Sequence, residues 1–277
     1  SMASQKKLSG DSMAYQEFRF IGFLYALVFF FVLFVLWYTK RWRRWQGVAL
    51  LVITVTLGFL IFSPIIPWQF QQLVLRDVQG IGGPIGIAVI GILTMLALSF
   101  LFGRFYCGYL CPAGAIQELS YLVPVPKLLL DNKVVPYLFR WAFFFVFIGA
   151  GIVLSKGILA FFGIRDFFNL VFSAAFFVFL VIIGLSFFLY RPFCRFFCPF
   201  GALVSIPAMG SRFKIQRTDA CIDCMKCEKA CPTNEAKQTD LKAECYLCHR
   251  CLDVCPVEGA LEYTRAGGKT SQPVKKK

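Results

Sequence analysis

SFLFGRFYCGYLCPAGAI, residues 99–116, returns 87 positions later as SFFLYRPFCRFFCPFGAL, residues 186–203. The register holds throughout. Arg104 pairs with Arg191, Cys107 with Cys194, Cys111 with Cys198, Pro112 with Pro199, Gly114 with Gly201 and Ala115 with Ala202. Self-similarity at a fixed period marks one structural unit used twice. Each copy follows a long apolar run that is itself preceded by another, so the two units have the same orientation.

Outward from these segments the chain is apolar. Of its 277 residues 58% are hydrophobic, and the mean hydropathy is +0.68, more than a soluble domain of this size needs. Uncharged stretches of 20, 31, 26 and 24 residues lie between Arg19 and Lys40, Arg44 and Arg76, Asp77 and Arg104, and Asp166 and Arg191. A fifth, 134–155, is interrupted only by Arg140. A spanning helix needs roughly 20 apolar residues, so five transmembrane helices are predicted at 18–38, 47–66, 84–103, 134–155 and 168–190. The first run is too long and aromatic for a signal peptide. Parallel repeats in a membrane are related by a pseudo-two-fold axis along its normal. Phenylalanine runs such as Phe29–Phe31 and Phe143–Phe145 read as lipid-facing bulk.

The net charge is +14. Basic residues near helix ends are a topology signal, and nothing here calls for nucleic acid. Lys40, Arg41, Arg43 and Arg44 follow the first predicted helix, Arg104 the third, and Arg191 and Arg195 the fifth. With alternating helices all three places fall on one side, which predicts a multi-pass protein of the inner (cytoplasmic) membrane with its C-terminal part in the cytoplasm. Arg140, near that end of the fourth helix, is either a functional residue that offsets negative charge at a metal centre or one that snorkels to the headgroups.

All 12 cysteines fall in four clusters. From Cys221 the chain reads CIDCMKCEKACP and from Cys245 it reads CYLCHRCLDVCP. Each is C-x2-C-x2-C-x3-C-P, the spacing that wraps three cysteines round one [4Fe–4S] cubane while the fourth reaches the other cluster. That assigns Cys221, Cys224, Cys227 and Cys255 to one cluster, and Cys245, Cys248, Cys251 and Cys231 to a second. Paired zinc knuckles would leave the doubled x3-C-P ending unexplained. Cys245-Tyr246-Leu247-Cys248-His249 also matches covalent haem attachment, but that reading strands Cys251 and Cys255. His249 is the sole histidine, so a bis-histidine haem is unavailable and no haem is expected. His249 itself reads as a loop residue that donates to a cluster sulfur. Segments 213–218 and 260–264 are β-prone and bracket a small α+β unit.

The remaining four cysteines are less determined. If C-x3-C is helical, residues i and i+4 share a face, and each repeat presents two sulfurs together. The pseudo-two-fold would then gather Cys107, Cys111, Cys194 and Cys198 round one axis. Soft thiolates suit a third Fe–S centre, a Cu(I) or Zn site, a redox-active dithiol facing a quinone, or plain buried thiols. The Fe–S reading is preferred in a chain already built for clusters. The spacing alone does not decide, because Cys227 and Cys231, also C-x3-C-P, serve different clusters.

The domain plan is a tail at 1–17, an additional helix and basic loop at 18–46, a first membrane repeat at 47–133 and a second at 134–211. A 2[4Fe–4S] domain at 212–266 and a disordered basic tail at 267–277 complete it. The fold class is an all-α membrane bundle with a small C-terminal α+β domain of bacterial ferredoxin type.

Over about 47–262, two C-x3-C-P segments after apolar helices, followed by tandem C-x2-C-x2-C-x3-C-P runs, resemble the NapH-type membrane polyferredoxins. The C-terminal part of NosR-type proteins and the CcoG/RdxA-type proteins share these elements. The resemblance implies an electron-transfer protein between the quinone pool, soluble cytoplasmic ferredoxins or flavoproteins and a partner reductase. It leaves open quinol dehydrogenase or quinone reductase activity. The CcoG-type relatives suggest an alternative, a maturation factor that binds or reduces copper at Cys107, Cys111, Cys194 and Cys198.

Overall fold

The computed structural model describes residues 22–60, 65–77, 85–129, 132–155 and 157–266. The tails at 1–17 and 267–277 lie outside them. The described chain is mostly helical. Helices α1 (Gly22–Tyr38), α2 (Arg44–Leu60), α3 (Ile65–Leu75) and α4 (Ile85–Phe102) lead to a π-helical turn at Tyr106–Leu110 and α5 (Pro112–Leu122). The second half runs α6 (Val134–Leu154), a 3-10 turn, α7 (Ile164–Phe168), α8 (Ala174–Leu185), a second π turn at Phe193–Phe197 and α9 (Pro199–Met209). Both π turns and both following helices begin 87 residues apart, and α5 and α9 each have 11 residues.

Packing repeats as well. Helix α5 lies along α2 and α9 along α6, the opening helices of their own repeats, while α9 also touches α4 and α5 touches α8 across the repeats. Along the α2–α5 seam Gly47 faces the Tyr109 ring and Gly58 faces Pro112, where an added Cβ would come within 2.8 Å of the proline Cβ. Gly47 and Gly58 stand about 16 Å apart on α2 at 1.5 Å per residue. Pro112, beside Cys111, is therefore deep along α2, and α5 climbs back toward the Gly47 end.

Helices α4 and α6, of 18 and 21 residues, are long and apolar enough to cross a membrane. Helices α1 and α2 are shorter, at 17 residues each as described. The predicted span at 168–190 is not one helix. The chain turns after α7, where Val171 N bonds Asp166 O and the Ser173 hydroxyl donates to the Asp166 carboxylate. Ser173 then caps α8 by accepting from Phe176 N. Twelve residues of α8 rise about 18 Å, short of a bilayer core. A local polar cap overrides the hydrophobic run. The phenylalanine runs are not uniform lipid-facing bulk either. Phe30 is fully buried, while Phe31 and Phe145 are exposed.

The C-terminal unit carries strands β1 (Phe213–Arg217) and β2 (Leu261–Arg265), paired antiparallel with Ile215 opposite Tyr263, and helices α10 (Lys226–Ala230) and α11 (Arg250–Asp253). Tyr263 fixes this sheet to the bundle: its hydroxyl donates to Phe102 O at 2.6 Å at the end of α4, and its ring meets Trp37 of α1.

Space along the seam generates a test. Gly58→Val forces atoms into the Pro112 and Phe168 contacts, and overpacking of this kind costs about 1–3 kcal/mol. An added Cβ at Gly149 in α6 meets nothing within 4 Å, so Gly149→Ala gains about 0.5–1 kcal/mol of helix propensity. Thermal unfolding in detergent should therefore move down for the first variant and not for the second.

Candidate functional site

The paired C-x3-C-P segments are not the continuous α-helix that an i, i+4 reading assumes. After α4 the chain breaks at Gly103, with φ +83°, and in the second repeat, beyond the end of α8, at Arg191, with φ +47°. A π turn follows in each case, and Cys111 and Cys198 leave it in extended conformation, with φ/ψ of −86°/117° and −82°/108°. Proline at the next position removes the N–H that a continuing helix would need and starts a new one. Cys231, before Pro232, has nearly the same angles, −82°/111°. The second cysteine of each membrane pair is thus an N-cap. Cys198 Sγ accepts from Gly201 N at 3.2 Å. Two short helices therefore point their positive ends at the sulfurs.

These four thiols feel one another. Burial, then Cys194, Cys107 and Cys111, pushes Cys198 well up. Burial, then Cys194 and Cys107, pushes Cys111 up to about 12. The Cys194 thiol is raised by burial to about 11 although Arg191 and Arg104 oppose the rise. Thiolates here require a compensating cation.

The C-terminal cysteines line two cavities. Cys231, Cys245, Cys248 and Cys251 border one of about 250 Å³, together with Tyr190, Arg217, Tyr246 and Arg250. Cys221, Cys224, Cys227 and Cys255 border a narrower one. In both motifs the residues flanking the second cysteine are left-handed: Asp223 and Met225 at φ 50° and 56°, Leu247 and His249 at 55° and 70°. Alternation of this kind turns successive N–H groups to one side and forms a concavity for anionic groups, Fe–S centres included.

The second motif is driven into the helical part. Tyr246 is buried between the Arg104 and Arg191 guanidiniums, 4.9 and 4.7 Å from its ring centre, and packs with Cys107. Its carbonyl rests against Gly108, where a Cβ would collide with it. Tyr109 Oη donates to Leu247 O at 2.8 Å. Arg104 donates to Ala243 O and Gly201 O, and Arg191 to Cys107 O and Gly108 O. Each arginine thus grips the other repeat. The first motif, by contrast, is open: Ile222, Cys224 and Met225 are exposed.

Four arginines, Arg104, Arg140, Arg191 and Arg195, are at most 1% exposed. Arg140 does not snorkel. Its Nη2 lies 2.5 Å from Glu244 Oε1, with Arg195 Nε 3.6 Å from the other oxygen. Glu118 pairs with Arg191 at 2.8 Å and Arg250 at 2.6 Å. Burial would raise the Glu118 carboxyl, but Arg250 and Arg191 outweigh it and hold it at about 2. His249 sits at the start of α11, where its Nδ1 lies 2.7 Å from Asp253.

A [4Fe–4S] group fits this donor set. Tyr246 Oη, on the larger cavity, is buried with no partner, as are Nη1 of Arg140 and of Arg250 and Nη2 of Arg195. Buried cations and hydroxyls without acceptors are costly, and an anionic thiolate-bound cluster supplies the acceptors. Among the described residues no three His, Cys, Asp or Glu side chains already meet closely enough to grip a single ion.

Glu118, Gln117, Tyr246 and Glu244 were not singled out from sequence. Glu118 left a trace as the one acidic residue between Asp77 and Asp131 and the one charge in α5.

A family of 4Fe-4S binding domains matches twice, at residues 85–130 and 171–217, and a second family with the same description matches at 215–234. An uncharacterized protein of Methanocaldococcus jannaschii is 30% identical over 66% of this chain and 74% of its own. The putative electron transport protein YccM of Escherichia coli is 27% identical over 64% of this chain and 56% of its own length. The regulatory protein NosR of Pseudomonas aeruginosa is 30% identical over 58% of this chain, which spans only 24% of that protein. No solved structure matches the chain.

Breaking the buried Glu118 triad leaves two guanidiniums short of an acid, and such losses cost about 3–5 kcal/mol. Glu118→Gln should lower the thermal unfolding temperature strongly. Lys40→Ala, which removes the Lys40–Glu262 pair on a 66%-exposed lysine, should hardly move it.

Proposed function

Since the chain belongs to the NapH/NosR-like polyferredoxins, we propose that this Fe–S electron-transfer protein relays electrons between cytoplasmic carriers and the quinone pool or a partner reductase. Three centres serve this role. Cys221, Cys224, Cys227 and Cys255 hold one [4Fe–4S] cluster, Cys245, Cys248, Cys251 and Cys231 a second, and Cys107, Cys111, Cys194 and Cys198 a third Fe–S centre. Each takes up and returns single electrons at a potential set by charge, burial and hydrogen bonds to sulfur.

The observation that carries this reading is Tyr246, the residue after Cys245, lodged between Arg104 and Arg191 and against Cys107. It supports an order for the proposed relay: the open Cys221 motif toward soluble carriers, the Cys245 motif in the middle, the paired π turns innermost. The protein's own residues exclude water from the inner two sites, compensate their charge and hold the ligand loops at fixed separation.

We further assign five membrane passes, with α8 and its flanking turns making the fifth, and the C-terminal unit in the cytoplasm. Lys40, in the basic loop between α1 and α2, and Arg44, which opens α2, pair with Glu262 and Asp253 of the C-terminal unit. That loop and that unit therefore share a face, and basic loops favour the cytoplasm.

Iron and acid-labile sulfide are to be measured on anaerobically prepared protein and on a Cys107→Ala/Cys194→Ala variant, with EPR. More than eight irons falling to eight, together with loss of reoxidation by a quinone analogue after dithionite reduction, is the expected result. Eight irons in both proteins, or undiminished reoxidation in the variant, would remove the membrane centre from the relay. Stoichiometric copper at these cysteines would replace the reading with metal handling.

A further inference from the structure

Each repeat supplies the inner site with two cysteines and one helix start, yet the two do not treat the sulfurs alike. Gln117, on α5 of the first repeat, is completely buried. Its Nε2 donates to Ala113 O at 2.7 Å and to Cys194 Sγ at 3.5 Å, and its Oε1 accepts from Phe193 N at 3.0 Å. The position 87 residues on is Val204, 1% exposed and without a polar atom.

The orientation of this amide is forced. Phe193 N can only donate, so the group facing it is the oxygen; Ala113 O can only accept, so the group facing it is the nitrogen. One Nε2 proton is used on the carbonyl of its own helix, and the other is directed at sulfur. Buried polar groups are nearly always partnered, and here the second proton has Cys194 Sγ as its acceptor. The amide is immobilised at both ends, because Phe193 opens the π turn that carries Cys194. A donor so placed is a fixed component of the sulfur's surroundings.

We propose that Gln117 is a positioning and tuning residue of the membrane centre, raising its reduction potential through the hydrogen bond to Cys194 and making the two halves of the site electronically unequal. The proposal rests on Cys194 being a ligand of that centre. Thiolate sulfur gains electron density when a cluster accepts one electron, so an N–H···S bond is stronger in the reduced state and favours it. No bond forms or breaks. The backbone adds to the asymmetry: Gly201 N donates to Cys198 Sγ at 3.2 Å, whereas Cys111, at the matching helix start, has no such cap bond. Among the described residues, Cys107 has no side-chain donor matching the one on Cys194. Gln117 is the side-chain part of that inequality, and the part a substitution can remove.

The test is an EPR-monitored redox titration of full-length protein and of Gln117→Met, which keeps length and removes both donor and acceptor. The expected result is a negative shift of the membrane centre alone. A tenfold change in its reduced-to-oxidised ratio at fixed potential would correspond to about 59 mV for a one-electron couple, with the two C-terminal clusters unmoved as internal controls. An unchanged midpoint at full iron content overturns the tuning role and leaves the membrane centre standing. Wild-type protein with only eight irons overturns the centre itself, and this role with it. Should Gln117→Met fail to assemble, the native chain labelled with side-chain 15N glutamine serves instead. A 15N coupling to the reduced membrane centre in pulsed EPR supports the bond, and its absence overturns it.

Discussion

A guanidinium cannot shed its charge inside a protein, and this molecule buries four of them where its helical part meets its C-terminal unit. Removing each from water costs several kcal/mol unless an anion is held against it. Glu118 and Glu244 answer part of that demand. Each is shared between two arginines, Glu118 between Arg191 and Arg250 and Glu244 between Arg140 and Arg195. Two carboxylates against five guanidiniums leave positive charge over, and the groups that remain nearby to answer it are sulfurs. The arrangement is consistent with a junction that completes its electrostatics when its cysteines are thiolates bound to iron. Docking of the two parts and loading of the inner sites then share one energy source. This also explains why thiols pushed so high by burial are tolerable at all: they sit beside the cations that an ionised form requires.

Duplication supplies the scaffold, and departures from it supply the specificity. The π turns match residue for residue, and the helices after them pack on corresponding partners. At single positions the copies diverge. Gly108 makes room for the Tyr246 carbonyl, whereas its counterpart Arg195 reaches Pro232 O at 3.2 Å. A two-fold pair of turns thereby receives a C-terminal unit that itself contains two copies of one motif, with an empty position facing one copy and a long cation facing the other.

Much of this was legible in the sequence, and what was legible was covalent or periodic. Cysteine intervals, the 87-residue repeat and the alternating β-prone segments later paired as β1 and β2 depend on local chain geometry, which sequence states directly. The apolar run between Asp166 and Arg191 misled because hydropathy does not register the Asp166–Ser173 cap that ends one helix and starts the next. The C-x3-C segments misled for a related reason. An i, i+4 interval suggests one helix face, but Pro112 and Pro199 forbid the helix from passing through, and the chain resolves the conflict with a π turn. Arg140 was visible as an intramembrane charge, yet its partner Glu244 lies 104 residues away. Such pairings are set by tertiary structure and leave no spacing to read.

The two C-x2-C-x2-C-x3-C-P runs show how side chains alone can orient a unit whose two motifs have like backbones. Aligned by their cysteines, Ala220 of the first stands opposite Glu244 of the second, Ile222 opposite Tyr246, Asp223 opposite Leu247 and Lys226 opposite Arg250. The four residues in the second run are the ones that pair with Arg140, fit between Arg104 and Arg191, accept from Tyr109 and bind Glu118. Their counterparts would offer the arginines an alanine and put the Asp223 carboxylate where Leu247 is buried. Reversing the unit would leave the buried cations unpaired and bury an acid in an apolar position, each at a cost of several kcal/mol. The unit therefore has one way to sit, and the exposed cysteine, Cys224, is left on the outer motif. Which motif lies inside and which outside is fixed by which copy can satisfy the arginines.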